Sequence, residues 1–177
     1  MFNKFWKNKN VLITGHNGFT GTWLTKFLLL SGAKITGISI KNNYNPDLYK
    51  KCNFNNKRLK SYICDITNQN KLNEIIKNTK IDIVFHLAAQ SIVQTGYKEP
   101  YNTYKTNIIG SINLFEVLKK QKRLKSIIVA TTDKVYKNDE KKNFFVERDH
   151  LGGDDHYSAS KASLEVISNA YYQSFYK

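Results

Sequence analysis

Short apolar runs alternate with amphipathic stretches along the whole chain. Residues 11–14, 34–40, 59–64, 81–87 and 126–131 are dense in Val, Ile, Leu and Phe and bounded by polar positions. Runs of this length and composition predict strands, and the fullest of them, 81–87 and 126–131, predict strands buried on both faces of a parallel sheet. Between them the period changes. Residues 21–31 carry Trp23, Leu24, Phe27, Leu28 and Leu30, and residues 156–175 carry Ala162, Leu164, Val166, Ile167 and Ala170. That spacing predicts helices, as it does for 69–78 and for one long helix over 100–120. Gly32 is a suitable C-cap. Residues 42–57 have no clean period and read as a long loop with a short helix near Leu48. Strands alternating with helices demand right-handed crossovers, so the chain predicts an α/β, doubly wound parallel sheet of order 3-2-1-4-5. Its ligand crevice then lies at the carboxyl ends of strands one and four.

Length and composition narrow this little. One domain spanning 1–177 is the natural division, with no repeat, linker or change of composition inside it. The net charge of +14 invites a nucleic-acid reading. Lysine is spread over nearly every polar stretch, however, and no nucleic-acid motif accompanies it. The basic, aromatic stretch 44–58 is the nearest candidate for a single-strand contact, and a compositional bias shown on solvated faces outweighs it. The positive field still favours a phosphate-bearing ligand. Residues 1–10 contain no apolar core of a signal peptide, and no stretch approaches the roughly 18 apolar residues of a membrane span. Cys52 and Cys64 suit neither a disulfide framework nor a metal site, and Cys64 reads as a core thiol. A cytoplasmic protein without metal, membrane or nucleic-acid partner is the expectation.

Gly15-His16-Asn17-Gly18-Phe19-Thr20-Gly21 follows the first strand directly and opens the first helix. Gly15 permits the sharp turn, Gly18 lets backbone approach a pyrophosphate, and Gly21 lets the helix pack on the sheet. The helix N-terminus adds unpaired N–H groups and partial positive charge. A dinucleotide site is the reading this context favours over an ordinary tight loop. The second strand ends Ser39-Ile40-Lys41-Asn42 without the acidic residue that would hold an adenosine ribose, and Lys41 tolerates a 2′-phosphate. Both NAD and NADP therefore stay open at this position. Asp65-Ile66 is placed to meet the adenine edge, and Ala88-Ala89-Gln90 ends the fourth strand with small side chains beside the cofactor. His86 reads as a packed strand-end residue.

The fifth strand runs into Thr132-Asp133-Lys134, and Tyr157 and Lys161 follow four apart on one helical face. A Tyr beside a Lys, near Thr, Asp and a second Lys, has the makings of proton-transfer machinery. Each has a plainer alternative: Thr132-Asp133 as a helix cap, Lys134 as a solvated cation, Tyr157 as a half-buried helix residue, Lys161 as its exposed neighbour.

Together, the G-x-x-G-x-x-G turn, the Asp-hydrophobic pair, His86-Leu87-Ala88-Ala89 and Y-x-x-x-K resemble the extended short-chain dehydrogenase/reductase family, a Rossmann-type fold. Residues 11–24, 86–90, Thr131-Thr132-Asp133-Lys134-Val135-Tyr136 and 151–158 most resemble its CDP-glucose 4,6-dehydratase branch. Related dTDP-glucose dehydratases place Glu where Lys134 stands. The resemblance covers residues from Phe5 onward and implies an NAD-dependent lyase of deoxysugar synthesis. It assigns catalysis to Thr132, Asp133, Lys134, Tyr157 and Lys161. It assigns cofactor contacts to Gly15, Asn17, Gly18, Phe19, Gly21, Asp65, Ile66, Ala88, Ala89, Gln90, Tyr157 and Lys161. Tyr157 is implied as base at the sugar C4 hydroxyl, with Thr132 on the C4 oxygen and Lys161 on the nicotinamide ribose. Asp133 is implied as acid at the C6 hydroxyl, which requires a carboxyl kept protonated by burial, and Lys134 as its partner at C5. Members of the family are about twice as long. The substrate-binding portion and a sixth strand are therefore expected to be absent, leaving apolar surface exposed, and helices 100–120 and 156–175 match those through which the family dimerises. The alternatives are a dinucleotide-binding remnant without turnover, or another nucleotide-sugar dehydratase or epimerase.

Overall fold

The computed structural model describes residues 4–42, 47–138, 140 and 144–177. The first three residues of the basic stretch 44–58 lie outside them, as do residues 1–3. Five parallel strands form one sheet: β1 Asn10–Thr14, β2 Lys34–Ser39, β3 Leu59–Ile63, β4 Ile83–His86 and β5 Ser126–Val129, in the order β3-β2-β1-β4-β5. The predicted order is therefore the observed one. β1 lies in the middle, Val11 paired with Ile35 on one side and with Ile83 on the other.

Because side chains alternate across a strand, one apolar run supplies both faces. Leu12 points into a core with Ile38, Val84, Leu72, Ile76, Leu114 and Leu118. Its neighbours Val11 and Ile13 point the other way, against Leu28, Leu29 and Ile35. Helices α1 (Phe19–Leu30) and α3 (Gln69–Lys77) follow β1 and β3 as crossovers, and the short α2 is Leu48–Lys51, capped by the Asp47 carboxylate. At the amino ends of the strands, Asp82 accepts from the Asn10 backbone and side chain and pairs with Arg123 at 3.1 Å.

The helices differ from expectation in three places. A helix, α4 (Val93–Lys98), occupies a stretch for which no element was expected. The single helix over 100–120 is α5 (Pro100–Tyr104), a π-helical turn at Lys105–Ile109 and α6 (Gly110–Leu118). Likewise α7 (His156–Tyr171) passes into a π-helical turn at Tyr172–Tyr176. β5 is an edge strand that pairs only with β4 among the described residues. It is half-exposed along its length, with Ile128 at 40 % exposure, so apolar surface is open there as expected, while the reading of 126–131 as a strand buried on both faces does not hold. No helix among the described residues is long and apolar enough to cross a membrane.

Candidate active site

The turn after β1 is shaped by its glycines. Gly15 has φ +75°, a left-handed conformation, and a Cβ there would lie 2.8 Å from the Ala88 backbone nitrogen. A Cβ on Gly21 would collide with the Gly15 carbonyl, so α1 packs directly on the turn. Gly18 faces nothing closer than that same carbonyl, and as N-cap it offers no side chain to the first-turn N–H groups of α1. No acidic residue lies in that first turn. The N-terminus of a 12-residue helix therefore presents unscreened donors at an approachable backbone, which fits a pyrophosphate. Asn17 ties the turn to the end of β2, its backbone N–H donating to Ser39 Oγ and its side chain to the Ile40 carbonyl. Phe19 stands 75 % exposed at the mouth.

His16, inside the turn, is a structural element that the motif alone does not announce. Its ring is fully buried under Gly37, between Ser39 Oγ and Ser61 Oγ at 2.7 Å each. It thus joins the turn to β2 and β3, and burial pulls its pKa down to about 4.

The end of β4 is fixed by a second buried imidazole, placed as the strand-end reading expected. The Ser111 hydroxyl donates to the Asn107 carbonyl at 2.7 Å, so it accepts from His86 Nε2 at 2.8 Å. His86 Nδ1 is then the acceptor for the Thr14 hydroxyl at 2.6 Å, whose oxygen in turn accepts the Ala88 N–H at 3.2 Å. Burial, together with the Lys161 charge, lowers the His86 pKa to about 3. This neutral relay holds Ala88 beside Gly15. Gln90 is held by Asn107: the Gln90 N–H donates to Asn107 Oδ1 at 2.8 Å, and Asn107 Nδ2 donates to the Gln90 carbonyl at 3.0 Å. Asn107 is fully buried in the π-helical turn, a geometry that often marks functional sites. Ile66 is buried beneath Gly110, where a Cβ would strike it, whereas Asp65 is exposed and accepts from the Thr67 N–H.

The last two motifs converge from β5 and α7. The Asp155 carboxylate caps α7, accepting from the Tyr157 and Ser158 N–H groups at 2.8 and 3.0 Å and from Ser158 Oγ. Burial acts to raise its pKa, but these donors outweigh it and the net shift is downward. Tyr157 is buried in the first turn. Lys161, one turn on, is only 4 % exposed, so it is no solvated neighbour, and its Nζ donates to the Ala130 carbonyl at 2.8 Å. Burial lowers its pKa to about 8, against an opposing push from Glu165. Ser160 Oγ donates to the Tyr157 carbonyl and accepts from Asn107 Nδ2, so α7 is pinned to the π-helical turn as well.

Thr132 caps a 3-10 turn, Asp133–Val135, as its plainer reading proposed. Its hydroxyl donates to Asp133 Oδ1 at 3.0 Å. Asp133 and Lys134 form a 3.6 Å ion pair, with the Asp133 side chain 83 % exposed. That hydrogen bond from Thr132 and the charge of Lys134 hold the Asp133 carboxyl below its usual pKa. The burial that an acid role requires is not there: no element among the described residues covers it. No hydrogen bond or ion pair among those residues joins Asp133 or Lys134 to Tyr157 or Lys161. The residues not foreseen are Asp155, Asn107, Ser160 and Glu165. Asp155 alone carried a local signal, an acid just ahead of a helix.

The model of the family described as GDP-mannose 4,6 dehydratase matches residues 12–176. CDP-glucose 4,6-dehydratase of Salmonella typhimurium is 37 % identical over 172 residues, covering 97 % of this chain and 48 % of that protein. Among solved structures, dTDP-glucose 4,6-dehydratase from Bacillus anthracis in complex with NAD is 29 % identical, with TM-score 0.79 over 94 % of this chain and 51 % of that one. UDP-N-acetylglucosamine 4-epimerase from Methanobrevibacter ruminantium is 28 % identical, with TM-score 0.80 over 96 % and 52 %. The chain spans about half the length of the relatives it matches. On the strength of that near-complete match, the chain belongs to the GDP-mannose 4,6 dehydratase family of nucleotide-sugar enzymes.

Proposed function

We propose that this chain carries the NAD site and the reacting side chains of a nucleotide-sugar 4,6-dehydratase acting on CDP-glucose, the nucleotide-sugar pocket lying in the half of its relatives that it does not span. The observation that carries the reading is convergence: Lys161, on the same helical face as Tyr157, grips the carbonyl immediately ahead of the Thr131-Thr132-Asp133-Lys134 run. The identity to the Salmonella enzyme supports the CDP-glucose choice.

The chemistry that NAD⁺ would supply here is reversible hydride transfer, out of the sugar C4 and back to C6. Gly15, Gly18 and the α1 N-terminus would hold its pyrophosphate, and Asp65 and Ile66 would meet its adenine edge. Tyr157 takes the C4 hydroxyl proton, with Lys161 one turn along on the same helical face. The Thr132 hydroxyl, once it releases Asp133, binds the C4 oxygen. Lys134 then assists removal of the C5 proton next to the new ketone, Asp133 protonates the departing C6 hydroxyl, and a proton returns to C5 when hydride reaches C6. Asp133 is an ionised, solvated carboxylate as it stands, so this last role needs a cover that strips its water and raises its pKa.

That exposed carboxylate favours a second reading, a dinucleotide-binding domain without turnover of its own. Purified chain incubated with NAD⁺ and CDP-glucose separates the two. The dehydratase reading expects a 4-keto-6-deoxy product, detected by its alkaline ultraviolet absorbance. NAD⁺ binding with no product leaves the binding domain, and failure to bind NAD⁺ removes both.

A further inference from the structure

Glu165 lies outside every motif, yet it occupies the third rung of a ladder on α7. Tyr157, Lys161 and Glu165 stand four residues apart on one helical face. The second and third rungs reach consecutive residues at the end of β5: Lys161 Nζ donates to the Ala130 carbonyl at 2.8 Å, and the Thr131 hydroxyl donates to Glu165 Oε1 at 2.5 Å. The residue after Thr131 is Thr132, which opens the turn bearing Asp133 and Lys134. Deepening the reading proposed above, we propose that Glu165 is a positioning residue of this site: through the Thr131 hydroxyl it fixes where the Thr132-Asp133-Lys134 turn lies relative to Tyr157, while its charge faces the Lys161 ammonium.

Two physical points support it. A charge-assisted hydrogen bond to a half-buried carboxylate is short and directional, so it locks the strand end rather than merely packing it. Lys161 makes no ion pair among the described residues, and the groups whose fields reach its ammonium are Glu165 on α7 and the neutral His86 on β4. Glu165 is thus the one that sustains its protonation against burial.

Lysine NMR on the 177-residue chain, with the Lys161 signal assigned through Lys161→Arg, reads the charge coupling directly. Glu165→Gln is expected to move the Lys161 midpoint downward by about half a pH unit or more. Thr131→Val keeps the carboxylate and is expected not to lower it. Calorimetry reads the positioning: each single change is expected to weaken NAD⁺ binding about three- to tenfold, and the double variant no further than the worse single. An unmoved Lys161 midpoint in Glu165→Gln, or single effects that simply add, overturns the proposal. Where Glu165→Gln does not fold, Glu165→Asp takes its place in the calorimetry, with the same non-additivity against Thr131→Val required. A wild-type chain that binds no NAD⁺ overturns the proposed function instead, and the titration still decides for or against Glu165.

Discussion

His16, His86 and Lys161 each leave water on folding without gaining an ion pair among the described residues. For the histidines, with pKa values of about 4 and about 3, the unfolded chain binds more protons at every pH between those values and about 6.5. Stability is therefore full above pH 6.5 and falls with acidification, by up to about 1.4 kcal/mol per pH unit for each ring. Urea midpoints measured from pH 7 to pH 4 should decline steeply, and His86→Gln should flatten that decline. Lys161 behaves alike in a higher window: its folded pKa of about 8 is depressed, so the fold bears the full cost below pH 8 and sheds it towards pH 10.4. Lys161→Met is expected to stabilise the chain by on the order of 2 kcal/mol at pH 7, read by thermal unfolding, while weakening NAD⁺ binding. The residue types at the site were legible in the sequence because each motif is local. Asn107, Ser160 and Glu165 were not, since each acquires its meaning from a partner 17 to 53 residues away.

The elements were legible where one period held throughout. The strands came through because apolar runs between polar ends admit little else. The long helix of residues 100–120 lost its continuity because a π-helical turn inserts one extra residue per turn and rotates the residues beyond it. Average periodicity hides that rotation, although it is what turns Asn107 towards Gln90. The local run and the family resemblance pulled apart at β5: Ser126-Ile127-Ile128-Val129 states affinity for a covered surface, and only the resemblance implied that the cover would be missing. At the opposite extreme, α7 begins where it does because Asp155 satisfies two of its first N–H groups. Asp155→Ala should cost about 1 kcal/mol, measured by denaturant unfolding, and loosen the first turn that carries Tyr157.

At the scale of the molecule, an open β5 edge with Ile128 exposed is a template for another strand. Ile128→Lys is expected to slow aggregation in light scattering and leave NAD⁺ binding unchanged. Sheet order and overall class followed from the alternation of elements, because right-handed crossovers leave few topologies. The central place of β1 carries a consequence for how the molecule forms. Val11 cannot complete its pairing until Ile83 exists, and the Thr14–His86 contact spans 72 residues. At about 5–20 residues per second of synthesis, the first strand waits several seconds on the ribosome for the neighbour that seats it. Loop-closure entropy is expected to slow that pairing in refolding too. Synonymous codons that hasten or delay translation between residues 14 and 83 would thus govern how long β1 and α1 stay unprotected, an order of assembly imposed by a strand that is first in the chain and third in the sheet.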